Sequence, residues 1–222
     1  MEFKTVTSID DPLFEAALKI YDERFDIGLS EDKQIFKQSL ENVHTKDDYL
    51  FIVGLEDGQP VSLATAHYEA TTNSAFLIYL IAVNQSNHSE LITQTLDQVE
   101  LEINKLSNQL HAHDVNFIML EVEQEPAEIE EKDIQILENR REFLFENGFE
   151  KQTDIDYLAP SIYGYADGVP MDLFIKSNIE LTKDIYGPSI KSNYILKYVF
   201  ANKISRSIIY PLLEEMDLRK RL

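Results

Sequence analysis

The sequence predicts an α/β domain over residues 1–176, one largely buried mixed sheet flanked by helices, followed by a helical extension over residues 177–222. Three observations predict it. Three apolar runs follow one another between Tyr49 and Val83, the first two joined through Asp57-Gly58, a hairpin signal because both turn residues tolerate positive φ. Ile92, Leu96, Val99, Ile103, Leu106 and Leu110 then recur at steps of three and four, one face of a long helix. Last, the charge changes after Lys176: residues 1–176 carry twelve basic and thirty-five acidic side chains, net −23, whereas residues 177–222 carry eight and five, net +3.

The elements follow in order. A short strand over residues 2–7 opens the chain. Asp11-Pro12 then reads as an N-cap with proline at the first helical position, and Phe14, Ala17, Leu18, Tyr21 and Phe25 give that helix a buried face. Ser30, with Glu31 and Asp32 behind it, starts a second helix with a Phe36, Leu40, Val43 stripe, ending near His44. Residues 49–55 and 61–68 form the hairpin. The run 75–83 lacks polar alternation and so predicts a central strand covered on both faces. After the long helix come a strand at 115–123 and a second helix that ends at Asn147-Gly148, the glycine suiting the left-handed position past a helix C-terminus. Two further strands are expected at 149–156 and 169–176. Beyond them the pattern is helical, with breaks at Gly187-Pro188 and near Pro211. Ile190, Tyr194, Ile208, Leu212 and Met216 should pack against the domain or, in a homodimer, against a second subunit.

Composition excludes several functions. At 222 residues the chain can bury one full core and a small appendage. Residues 1–11 are charged and lack the apolar segment of a signal peptide, and the longest apolar run is too short to span a bilayer; the cytoplasm is the expected compartment. With no cysteine there is no disulfide, thiolate nucleophile or cysteine-held metal. A net charge of −20 repels phosphate backbones and anionic lipid, so neither nucleic acid nor membrane is expected as a partner.

Several polar groupings admit a chemical reading and a plainer one. His111-x-His113-Asp114 has the types that chelate zinc, but it falls at a helix-to-strand turn where polar residues belong, and no metal is expected. The seven carboxylates between Glu121 and Asp133 could attract a cationic amine; a solvated loop explains them as well. Arg140-Arg141 complement a helix dipole and nearby carboxylates, or hold phosphate.

The order of elements, with Tyr79-Leu80-Ile81-Ala82-Val83-Asn84 closing the fourth strand, Leu120-Glu121-Val122 on the fifth, Phe143 with Asn147-Gly148-Phe149 after the next helix, then Tyr157, Pro160 and Met171-Asp172-Leu173, resembles the GNAT superfamily of acetyl-CoA-dependent N-acetyltransferases. The resemblance implies a GNAT-like sheet and direct attack of an amine on the thioester of acetyl-CoA. The acceptor would be a primary amine of a small cationic molecule or a peptide N-terminus. That chemistry needs a base for an ammonium, an oxyanion donor and an acid for the leaving thiolate. By the resemblance Glu121 is the base, as in the ribosomal-protein alanine acetyltransferases, with a strand-edge carboxylate of no catalytic role as the alternative reading. Backbone at Ile81, Ala82 and Val83 receives the cofactor and oxyanion, and His88, Ser89, Leu91 and Thr93 surround the pyrophosphate. The family's acid position falls on Leu144, which cannot donate a proton; Tyr157, Tyr163, Tyr165 or water would replace it. The stretch 88–93 also has none of the family's loop glycines, and side chains at Leu91 and Thr93 would narrow the approach to the backbone. A GNAT-fold binding or regulatory module without catalysis is the competing expectation.

Overall fold

The computed structural model describes all residues except 22–32, 44–47, 125–130, 162–166 and 221–222. Eight strands and six α-helices run among the described residues, the expected mixed α/β architecture. They form two compact units, Met1–Asn116 and Phe117–Leu222. The Ser30 cap, Phe25, Tyr163 and Tyr165 lie outside the described residues.

In the first unit β1 (Glu2–Thr5), β2 (Tyr49–Glu56), β3 (Gln59–Glu69) and β4 (Ser74–Ala82) pair antiparallel in sequence order. Asp57 and Gly58 turn the β2–β3 hairpin at φ 50° and 76°, as the dipeptide predicts. Every residue of β4 is buried. Ile78 is an extra residue on β4, because Thr65 pairs with Tyr79 and Ala66 with Leu77; such a bulge bends a strand and locally interrupts its ladder.

Helix α1 (Pro12–Tyr21) is capped by Asp11, whose Oδ1 accepts the Leu13 N–H at 2.9 Å. From α2 (Gln34–Glu41) Phe36 packs against Phe51 and Tyr79, ring centroids 5.9 and 5.0 Å away. Val43, expected on that stripe, lies beyond the end of α2 and is 75% exposed.

Helix α3 (His88–His111) buries Ile92, Leu96, Val99 and Ile103 as its periodicity predicts, but Leu110 is exposed and Ser107 is buried instead. At ~1.5 Å per residue α3 outruns a nine-residue strand. Its last turns lie against the polar turn 111–114, where the Ser107 hydroxyl donates 2.7 Å bonds to Asn73 Oδ1 and the His113 carbonyl.

The second unit is built on β5 (Phe117–Glu123) and β8 (Val169–Ser177), paired antiparallel from Phe117 opposite Ser177 to Glu123 opposite Met171. Helix α4 (Glu131–Glu146) closes at Gly148, φ 81°, with the Phe149 N–H on the Leu144 carbonyl at 2.9 Å. The strand expected over 149–156 shrinks to β6 (Glu150–Lys151), and the chain regains β8 only at β7 (Leu158–Ala159). Between them the chain leaves the edge of β8. Ile155 and Tyr157 turn inward, and Asp154 accepts the Tyr186 hydroxyl at 2.6 Å.

Helix α5 (Lys183–Asn193) continues into a π-helix, Tyr194–Ala201, and α6 (Arg206–Glu215) follows, its first turn capped by Ser205. The expected breaks at Pro188 and Pro211 do not occur; both prolines sit inside helices. A proline removes only one N–H from the helical ladder, and here the flanking Tyr186, Ser189, Ile190, Ile209, Leu212 and Leu213 are all buried. The helical run breaks instead at residues 202–205, between the π-helix and α6, where Lys203 has φ 60°. Ile190, Tyr194, Leu212 and Met216 are buried, with Ile209 buried where Ile208 was expected.

Candidate active site

Glu121 faces inward from β5 opposite Leu173, and only 6% of it is exposed. A carboxylate so buried needs donors and a counter-charge. Tyr157, in the excursion between β6 and β7, donates its hydroxyl to Glu121 Oε1 at 2.5 Å. The two residues expected to be catalytic therefore meet, 36 positions apart in sequence.

The remaining partners come from the π-helix. Lys197 Nζ lies 3.2 Å from Glu121 Oε2, and the Tyr198 hydroxyl is shared between the two oxygens at 2.8 and 2.9 Å. The Lys197 and Glu121 side chains are 5% and 4% exposed. The ammonium also stands 4.8 Å from the centre of the Tyr198 ring, a cation–π contact. Tyr194 closes the cluster, edge-on to Tyr157 at 6.3 Å and to Tyr198 at 5.3 Å.

Two neighbouring side chains of an ordinary helix point about 100° apart. The wider π turn, in which the Asn202 N–H reaches back five residues to the Lys197 carbonyl at 3.0 Å, brings both Lys197 and Tyr198 onto one carboxylate. π-helical turns are rare and concentrate at functional sites.

Burial, and then the negative charge of Glu121, push the Tyr157 and Tyr194 hydroxyls well above the usual tyrosine range. Both remain protonated donors throughout the neutral range.

Sequence reasoning singled out Glu121 and Tyr157, placed Tyr194 only as a packing residue, and missed Lys197 and Tyr198. A signal was present. Tyr194, Lys197, Tyr198 and Ala201 fall at i, i+3, i+4 and i+7 and are the buried residues of this turn. A lysine on a stripe that is otherwise apolar, in the one segment of positive net charge, needs a buried anion.

The second group of expected residues lies in the first unit. Ile81 and Ala82 are buried at the end of β4, and the Val83 N–H is donated to the Val61 carbonyl at 2.9 Å. His88 opens α3 with Nδ1 3.0 Å from the Val83 carbonyl; a carbonyl only accepts, so that nitrogen carries the proton. The first N–H groups of a helix have no acceptor within it. Here His88 donates to the Gln85 carbonyl and Leu91 to that of Asn87, leaving the Ser89 and Glu90 N–H groups at the helix mouth.

Leu91 is turned into the core, 1% exposed, so its side chain does not narrow the approach. Thr93 is exposed and bonds back to the Ser89 carbonyl at 2.9 Å. Against an anion stand Glu90 and Glu56, the latter accepting from Gln85 and Asn87 at 3.3 and 3.2 Å. The N–H pair, the Ser89 hydroxyl and the helix dipole fit a pyrophosphate; the two carboxylates weaken that fit without filling the mouth.

The other polar groupings resolve into local networks. His111 Nε2 lies 2.9 Å from the Ala70 carbonyl and His113 Nδ1 2.7 Å from that of Asp114. No group of three or more potential metal ligands occurs among the described residues. Arg141 pairs with buried Asp172 at 3.3 Å, which Lys151 also reaches at 2.8 Å. No described helix is long and apolar enough to cross a membrane.

The sequence alone matches no family model and no curated protein. Its structure is similar to many solved ones. A GNAT-family protein from Bacteroides thetaiotaomicron superposes with a TM-score of 0.63 at 18% identity, over 89% of this chain and 98% of that one. The aminoglycoside 6'-N-acetyltransferase from Enterococcus faecium gives 0.55 at 11% identity, over 82% and 99%. The PaiA N-acetyltransferase from Thermoplasma acidophilum, in complex with coenzyme A, gives 0.50 at 17%, over 80% and 99%. This chain has the GNAT fold. Within it β5 carries Glu121 and Tyr157 follows α4, the two positions that the sequence resemblance singles out, and the mouth of α3 follows β4.

Proposed function

We propose that this chain is a divergent N-acetyltransferase of the GNAT superfamily, moving the acetyl group of acetyl-CoA to a primary amine of a small cationic molecule or a peptide N-terminus. One observation carries the reading: out of water, the Glu121 carboxylate on β5 accepts the Tyr157 hydroxyl at 2.5 Å and holds the ammonium of the chain's own Lys197 at 3.2 Å. That is the arrangement a base needs in order to take a proton from an amine. In this reading Glu121 accepts that proton, the amine attacks the thioester carbonyl, and Tyr157 supplies a proton to the departing thiolate and is reprotonated through Glu121. The mouth of α3 receives the pyrophosphate through the Ser89 and Glu90 N–H groups, with the ends of β4 at Ile81, Ala82 and Val83 along the pantetheine. Residues 1–176 form the acetyltransferase domain and 177–222 an extension that contributes Lys197 and Tyr198. The strongly negative surface favours a cationic acceptor.

A second reading has its own observation. Glu56 and Glu90 beside the α3 mouth, with Glu121 already paired, favour a GNAT-fold binding or regulatory module that has lost catalysis. Calorimetric titration and thermal shift with acetyl-CoA, longer acyl-CoAs and CoA separate the two. A ligand at 100 times its Kd stabilises the fold by ~2.7 kcal/mol. The enzyme reading expects acetyl-CoA binding and thiol release with a panel of primary amines. No CoA-ester binding at millimolar ligand sinks it in favour of the module.

A further inference from the structure

The ammonium on Glu121 belongs to the chain itself. We infer that Lys197 is an acyl acceptor of this site, its Nζ taking the acyl group of an acyl-CoA in an intramolecular transfer. The inference rests on the acyltransferase reading and goes beyond it by naming an acceptor and a modification site.

Three features point the same way. Lys197 Nζ is within direct hydrogen-bond reach of the proposed base, so its proton has a route off the nitrogen without an intervening water. The amine is tethered and desolvated, with the carboxylate 3.2 Å away and the centre of the Tyr198 ring at 4.8 Å. An external amine would have to displace it from a position where translational and rotational freedom have already been given up. The product loses the cation beside Glu121 but keeps donors on the carboxylate. Acylation leaves an amide N–H that can still face the carboxylate, and Glu121 keeps the Tyr157 and Tyr198 hydroxyls.

The step balances. Glu121 takes one proton from the Lys197 ammonium. The nitrogen lone pair forms a bond to the thioester carbonyl carbon, and the tetrahedral adduct collapses with cleavage of the C–S bond. A second proton leaves the nitrogen of the adduct, the CoA thiolate departs and receives, by way of Tyr157, the proton that Glu121 first took, and the third nitrogen proton is the one the amide retains. The products are an Nε-acyl-lysine, free CoA and one proton released to solvent, with no other reactant.

Burial makes the test selective. Acetyl-CoA acylates lysines slowly without a catalyst, and that background falls on exposed side chains such as Lys105, 54% exposed, before it reaches Lys197. The full-length protein is incubated with acetyl-CoA, its intact mass followed with time, and the label located by peptide mapping; acetyl-CoA binding is measured on the same preparations by calorimetry. The expected result is one acetyl group per chain on Lys197, at a first-order rate independent of protein concentration. The label should vanish in Lys197→Arg, which keeps the charge on Glu121, and form on the order of 100-fold more slowly in Glu121→Gln. Bound acetyl-CoA with Lys197 unlabelled, or label confined to exposed lysines, overturns the inference and leaves the acyltransferase reading standing. No acetyl-CoA binding overturns both. Should Glu121→Gln not fold, the wild-type and Lys197→Arg samples still decide.

Discussion

Replacing Lys197 by methionine keeps most of the side-chain volume and removes the charge, leaving the Glu121 carboxylate 4% exposed without its cation. Breaking a buried ion pair from one side costs about 3–5 kcal/mol, because the surviving charge stays desolvated and uncompensated. With a urea m-value of roughly 2 kcal/mol/M, the midpoint should fall by about 1.5–2.5 M. The two tyrosine hydroxyls still donate to Glu121, which places the expectation toward the lower end. Adding Glu121→Gln removes the orphaned charge, so the double variant should regain more than about half of the loss, a coupling characteristic of residues in contact. As a control, Lys105→Met breaks an exposed pair with Glu102, 2.7 Å long and 54% open on the lysine side, and should cost less than about 1 kcal/mol. Far-UV circular dichroism follows the transitions, since the chain has no tryptophan. A Lys197→Met midpoint indistinguishable from the Lys105→Met control, or a double variant no better than the single one, would refute a desolvated Glu121–Lys197 pair.

Alkaline pH should weaken the fold through Tyr157 and Tyr194, whose hydroxyls are raised above their unfolded value of ~10 by burial and by the charge of Glu121. Their contribution is fully present below pH ~10. Above it the unfolded state loses protons that the folded state keeps, so stability declines by up to ~1.4 kcal/mol per pH unit for each tyrosine; urea midpoints at pH 9, 10 and 11 should show this slope, and Tyr157→Phe should reduce it. Gly54→Ala should destabilise by about 1–3 kcal/mol, because the new Cβ would clash with Ser62 Oγ; an unchanged thermal midpoint would contradict that packing. Glu90→Gln and Glu56→Gln should each tighten acetyl-CoA several-fold in calorimetry, since a like charge at 4 Å costs ~1 kcal/mol even in water, and unchanged or weaker binding would put the phosphates elsewhere. With whichever amine the panel identifies, Glu121→Gln should lower kcat/KM by ~100-fold or more with little change in acetyl-CoA affinity; normal turnover would reassign the base.

The features legible in the sequence are local ones. The Asp57-Gly58 hairpin, the uninterrupted burial of β4, the α3 stripe through Ile103 and the stop at Gly148 all follow from periodicities of two and 3.6 residues and from backbone preferences that each residue carries with it. Glu121 and Tyr157 were legible as candidates because their short flanking motifs travel with them. Tertiary structure decided the rest, wherever the outcome depended on a partner distant along the chain. The edge of β8, touched by β6, left and regained by β7, cut the strand expected over 149–156 to two residues, since inward packing of Ile155 and Tyr157 outweighs a run of ladder bonds. Pro188 and Pro211 stay inside helices because buried neighbours on both sides outweigh one missing bond each. Above all, the partner of Glu121 lies 76 residues away, on a π turn that no local propensity announces. A buried carboxylate must find a cation, but which lysine reaches it is set by packing across the whole unit, not by any spacing along the chain.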